Sequence, residues 1–140
     1  PKARRDFWDE IHRLAADGLT VLITTHYMDE AERCHRLAYL AYGNLLTRGT
    51  VAEVVAAGGL TTWTVTGPDL PRLAESLRGR PGVEQVVAFG NTLHVSGRNT
   101  VELDASISAI VDPAHTWTRA RASLEDVFIS LMDTARDNFS

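Results

Sequence analysis

The sequence predicts an α/β segment followed by a smaller α+β unit, and three observations carry that reading. An almost wholly apolar run at 19–24 lies between two helical patterns, as a strand buried on both faces does. Two Gly-Asn pairs, Gly43-Asn44 and Gly90-Asn91, stand between short apolar or alternating runs and signal tight hairpins. From residue 61 the apolar period switches between two and 3.6, in the order strand, helix, strand, strand, helix, strand.

The elements follow in chain order. Residues 3–17 place Phe7, Trp8, Ile11, Leu14 and Ala15 on one helical face, and Gly18 closes the helix. The strand at 19–24, a short helix over 27–34 and a second apolar run at 37–42 have the spacing of a βαβ unit. A hairpin through Gly43-Asn44 leads to 45–48. Thr50 and Glu53 then have capping-box spacing for a helix that runs to Ala57 and stops at Gly58-Gly59.

Beyond that point 61–66 alternates as a strand. Residues 69–78 form a helix with Leu70, Leu73, Ala74 and Leu77 in register. Strands are predicted at 83–89 and 92–96, a helix at 101–111 and a last strand at 115–121. That β-α-β-β-α-β order is the ferredoxin-like, split βαβ arrangement. Ser123 caps a final amphipathic helix carrying Leu124, Val127, Phe128, Leu131 and Ala135. The expected division is 1–57, 58–122 and 123–140, the last a helix packing back on one of the other two.

Composition narrows the class. Of 140 residues, 44% are hydrophobic and 23% charged, as in soluble globular chains and unlike disordered ones. No apolar run approaches the roughly 20 residues that span a bilayer. One cysteine, Cys34, excludes an internal disulfide or a four-cysteine zinc site. Fourteen basic against eighteen acidic residues give a net charge of −4 with no basic block, so nucleic acid is not an expected partner. The chain starts at Pro1, directly in helical pattern and without a secretory signal, and is expected to be the later part of something longer.

The richest stretch is Thr24-Thr25-His26-Tyr27-Met28-Asp29-Glu30-Ala31-Glu32. His26 falls where a buried strand ends and a helix begins, the end of an open α/β sheet at which ligands bind. An imidazole there can donate to a phosphate oxygen while helix amides favour an anion. By position alone, a histidine that merely caps the helix explains it as well.

Gly18-Leu19-Thr20-Val21-Leu22-Ile23-Thr24-Thr25-His26-Tyr27-Met28-Asp29-Glu30-Ala31-Glu32-Arg33-Cys34 resembles the switch-histidine segment of ABC-transporter ATP-binding subunits. Gly43-Asn44-Leu45-Leu46 and Gly49-Thr50 are similar to that domain's closing hairpin and helix, and Pro1-Lys2-Ala3-Arg4-Arg5 to the residues after its D-loop. Ala122-Ser123-Leu124-Glu125-Asp126-Val127-Phe128 resembles a phrase near the end of many exporting members. His35 departs from the family, which commonly has aspartate there.

The resemblance implies that residues 1–57 are the last part of a P-loop-type ABC ATPase core, with a regulatory or dimerising unit behind it. It implies that His26 is the catalytic switch histidine, contacting the γ-phosphate of ATP and helping position the attacking water. It also implies ATP and Mg2+ in the full-length subunit, a second ATP-binding subunit and a transmembrane permease as partners, and a place on the cytoplasmic face of the membrane. The chain holds no G-x-x-x-x-G-K-[ST], no Ser-Gly-Gly signature and no strand ending in Asp-Glu. Alone it is therefore expected neither to bind ATP tightly nor to hydrolyse it, and to carry no cofactor.

Other candidates have plainer explanations. His26, Asp29, Glu30, Glu32, Cys34 and His35 match no zinc spacing, so no metal site is expected. Cys34 reads as a small buried residue, and His12, His94 and His115 are scattered. Trp63 and Trp117 suggest a base-stacking platform, but the alternation of Trp63 with Val65 places them on a helix-covered face. The alternative from another class is a stand-alone ferredoxin-like sensor or dimerisation module, in which His26 is a structural cap. The apolar runs at 19–24 and 37–42, short of sheet neighbours, make self-association an expectation.

Overall fold

The computed structural model of the protein describes residues 2–139. Six helices and six strands follow one another among the described residues: α1 (Lys2–Ala16), α2 (Met28–Ala31), β1 (Leu37–Ala41), β2 (Asn44–Gly49), α3 (Val51–Gly58), β3 (Thr61–Thr66), α4 (Leu70–Leu77), β4 (Gln85–Phe89), β5 (Thr92–Gly97), α5 (Thr100–Ser108), β6 (Thr116–Arg121) and α6 (Leu124–Phe139). Strands β1 and β2 form an antiparallel pair. The other four form a sheet in the order β4-β5-β3-β6, antiparallel throughout.

Alternation along the second sheet decides its two faces. Val65, Leu93 and Val95 meet Leu73, Leu77, Leu103 and Ile107 from α4 and α5, and this cluster is almost completely buried. Trp63 and Trp117 pack against the same side. Trp63 Nε1 donates to Asp104 Oδ1 on α5 at 2.9 Å, so the two indoles are core residues and no stacking platform forms. The opposite face shows Thr62 and Ser96, both fully buried and hydrogen bonded to each other at 2.9 Å.

A second cluster joins Val54 of α3 to Leu124, Val127 and Phe128 of α6, with Leu37 and Tyr39 of β1 and Met28 of α2 packed on it. Thr50 Oγ1 accepts from Glu53 N–H at 3.1 Å, and the Glu53 carboxylate accepts from Thr50 N–H at 3.4 Å, the reciprocal cap expected of this pair. Gly58 closes the approach between helices: a Cβ there would lie 3.0 Å from Val127 Cγ2. Helix α6 starts at Ser123, whose Oγ accepts from Asp126 N–H at 3.0 Å.

Three local expectations are corrected. The run at 19–24 pairs with no strand among the described residues, so no βαβ unit forms. Leu22 stands 94% exposed and Leu19 53%. An apolar run declares a preference for burial, but a ladder needs a second strand alongside, and none of the described strands lies beside 19–24. The helix placed at 27–34 shrinks to the four residues of α2, followed by turns. In the first hairpin Ala41 faces Asn44, so the turn residues are Tyr42 and Gly43, both at positive φ (53° and 74°). Asn44 Nδ2 donates to the Tyr42 carbonyl at 2.9 Å and holds that left-handed turn.

His115 ties the loop after β3 to the loop before β6. Its Nδ1 lies 3.0 Å from Asp112 Oδ1 and its Nε2 2.7 Å from the Pro68 carbonyl oxygen. Both neighbours are acceptors, so both ring nitrogens donate only in the imidazolium form. The Pro68 carbonyl first, and then the Asp112 carboxylate, raise the His115 pKa above its ordinary value. A raised folded-state pKa contributes stability that is fully present below about pH 6.5 and lost as pH rises through the folded value. Urea midpoints followed upward through neutral pH are expected to decline for the parent chain and to lose part of that slope in His115→Gln. Parallel curves would show that the clamp contributes nothing.

Candidate functional site

His26 follows the unpaired segment at 19–24 and stands one residue before Tyr27, the N-cap position of α2. The turn that swings the chain there is fixed by Tyr27 N–H donating to Thr25 Oγ1 at 3.0 Å. The His26 ring is exposed and lies against Tyr27, with centroids 4.3 Å apart and planes at 34°. Helix α1 docks on the same segment. Arg4 pairs with Glu30 at 2.9 Å and lies over the Tyr27 ring at 4.7 Å, while the His12 ring contacts the Arg33 carbonyl at 3.2 Å. Trp8 is buried here, with the Arg33 guanidinium 5.9 Å from its ring.

His26 borders an open groove of about 320 Å³. Met28, Tyr39, Phe128, Ile129 and Met132 form its apolar floor, and Glu125 and Asp133 add two carboxylates. No lysine or arginine lines it, and the carboxylates oppose the negative charge of a nucleotide phosphate. The groove therefore does not suit a phosphate by itself. Helix α6, from the far end of the sequence, supplies most of its wall, and no local pattern around His26 announces that.

The other residues singled out around His26 are separated from it in role. Asp29 and Glu32 are exposed, and Glu30 is committed to Arg4. Cys34 Sγ lies 3.7 Å from the Glu30 carbonyl, and burial, then the Glu30 charge, push its thiol pKa up. A thiol held protonated is a poor nucleophile, which fits a packing residue. The His35 ring lies 6.4 Å from that of His12. Among the described residues, no group of three His, Cys, Asp or Glu side chains is placed to hold a metal ion.

Sequence reasoning passed over one constellation. Asp126 is fully buried, and its Oδ2 accepts from Ser123 N–H at 3.0 Å and from Ser123 Oγ–H at 2.8 Å. His94 Nδ1 lies 3.1 Å from each of its carboxylate oxygens. The Ser123-x-x-Asp126 spacing is a capping signal in the sequence, but the partner on β5 is not.

No protein-family model matches the chain. It is 35% identical to a Nod factor export ATP-binding protein I of Ralstonia nicotianae, the match covering 94% of this chain and 42% of that protein. Similar proteins of the same name from Paraburkholderia xenovorans and Neorhizobium galegae are each 34% identical over 94% of the chain, covering 42% and 37% of their own lengths. The chain thus spans about two-fifths of the curated relatives it matches. It resembles the C-terminal part of an ABC ATP-binding subunit, in agreement with the segment around His26.

Proposed function

We propose that this chain is the C-terminal part of the ATP-binding subunit of an ABC exporter, contributing His26 as the switch histidine. The carrying observation is the 35% identity over 94% of the chain to an export ATP-binding protein. The structural support is local: His26 sits at the end of an apolar segment, 19–24, that pairs with no strand among the described residues. In the longer protein, strands ahead of residue 2 would complete a sheet there, and a P-loop would bring ATP and Mg2+ to His26. Among the described residues the groove carries two carboxylates and no lysine or arginine, and the proposal assigns the main phosphate contacts to a P-loop-bearing part of the longer protein.

The domain reading keeps residues 1–57 as the end of the ATPase core and 58–122 as a ferredoxin-like accessory unit. The antiparallel order β4-β5-β3-β6 in a β-α-β-β-α-β chain supports the second assignment. Residues 123–140 are the helix returning to the core, supported by the packing of Phe128 and Val127 with Val54. A second ATP-binding subunit and a membrane permease are the proposed partners, with the accessory unit acting in regulation or dimerisation beside them. No helix of the described residues is long and apolar enough to cross a membrane, and the proposed place is the cytoplasmic face.

Calorimetry tests the reading directly. Titration of this chain with MgATP is expected to give no saturable heat, whereas the chain preceded by a P-loop-bearing segment binds with one site per subunit. Stoichiometric binding by the chain alone overturns the proposal. Leu19, Leu22, Leu40 and Leu45 are exposed, and apolar surface of this kind favours association. Light scattering is expected to show mass rising with concentration, and a strict monomer at high concentration would remove that expectation.

A further inference from the structure

We infer that the contact between His94 and Asp126 is a positioning joint, through which the four-stranded sheet sets how α6 stands against His26. Asp126 is held from two directions: Ser123 on its own helix end, and His94 Nδ1 from β5 at 3.1 Å. Gln85 Nε2 of β4 donates to the Asp126 carbonyl at 3.0 Å, so two neighbouring strands grip one residue of α6. Two residues on, Phe128 lies flat on Tyr39 of β1, with centroids 4.1 Å apart and planes at 8°. Tyr39 and Phe128 are the floor beside His26.

Asp126 and Phe128, two residues apart on α6, therefore face different sheets. A buried carboxylate without partners is costly, so Asp126 has one well-defined seat. A helix carries a displacement at one turn to the next, and what moves Asp126 moves Phe128 and the floor of the groove. His94 is the reachable end of the joint: its side chain is 20% exposed, with the Phe89 ring edge-on at 4.5 Å. The inference deepens the reading of His26 as the working residue and rests on it for its meaning. The joint itself is testable without nucleotide.

The experiment is NMR on this chain with three variants. In His94→Leu the ring signals of His26 and Tyr39 are expected to shift, and the amides of β1 to exchange about tenfold faster, as for loss of one charge-assisted hydrogen bond. His94→Gln, which retains a donor, returns both towards the parent. Asp104→Ala removes the acceptor of the Trp63 indole on the other face of the same sheet and leaves the His26 and Tyr39 signals in place. Unchanged signals in His94→Leu, or equal shifts in Asp104→Ala, overturn the joint. Should His94→Leu not fold, Asp126→Asn keeps the shape without the charge and must displace the same signals. The calorimetric result stands apart from all of these, so the two readings fail separately.

Discussion

His26→Ala, made in a protein that carries the P-loop segment ahead of these residues, is expected to lower ATP turnover about 100-fold or more. Nucleotide affinity should change little. The reason lies in the proposed role of His26: a switch histidine would orient a proton and a water in the transition state rather than hold the ground-state nucleotide. Such a loss falls on kcat and on kcat/KM together while KM stays put. His26→Gln, which keeps a donor but cannot carry a second proton, is expected to fall between. Turnover in His26→Ala within a factor of a few of the parent would leave this residue a structural cap.

The second large effect is on stability. Leu103 is fully buried in α5, packed in the cluster of Val65, Leu77, Val95 and Ile107. Leu103→Ala removes buried methyl groups and leaves a cavity, which costs about 3 kcal/mol. Against total stabilities of roughly 5–15 kcal/mol that is a large fraction. Trp63 packs on this cluster, whereas Trp8 is the buried residue of α1, so their fluorescence reports the two regions separately. The urea midpoint read from Trp63 in a Trp8→Phe, Trp117→Phe background is expected to drop strongly. A variant that unfolds with the parent would show that this side chain is not a pillar of the core.

Local chemistry made much of this legible in advance. Thr50 with Glu53, the Ser123 cap and the Gly90-Asn91 turn are interactions within four residues, and each sits where the spacing placed it. The alternation Trp63-Thr64-Val65 also named the correct buried face, because the strand period is rigid. What failed was partnership. The run at 19–24 has the composition of a central strand, but composition says nothing about whether a neighbour is present to accept its hydrogen bonds. The turn at Tyr42-Gly43 slipped by one residue because a tyrosine takes the left-handed conformation that Asn44 was better suited for.

The site divides along the same line. His26 at the end of an apolar run is a local signal. The wall opposite it comes from Phe128, Ile129 and Met132, and the seat of that wall from His94, all distant in sequence and tied by no shared period. His115 was one scattered histidine among several until Pro68 and Asp112 were brought to its two nitrogens.

The near-contact of position 58 with Val127 binds the histories of two distant sites. A side chain gained at 58 must be met by a shift of a few tenths of an ångström at the Val127 methyl groups, or by a smaller residue there. The order of substitutions then has a bias: growth at 58 meets less resistance where 127 has already become smaller. In a set of descendants the two positions should behave as one inherited character, sorted by the volume they share.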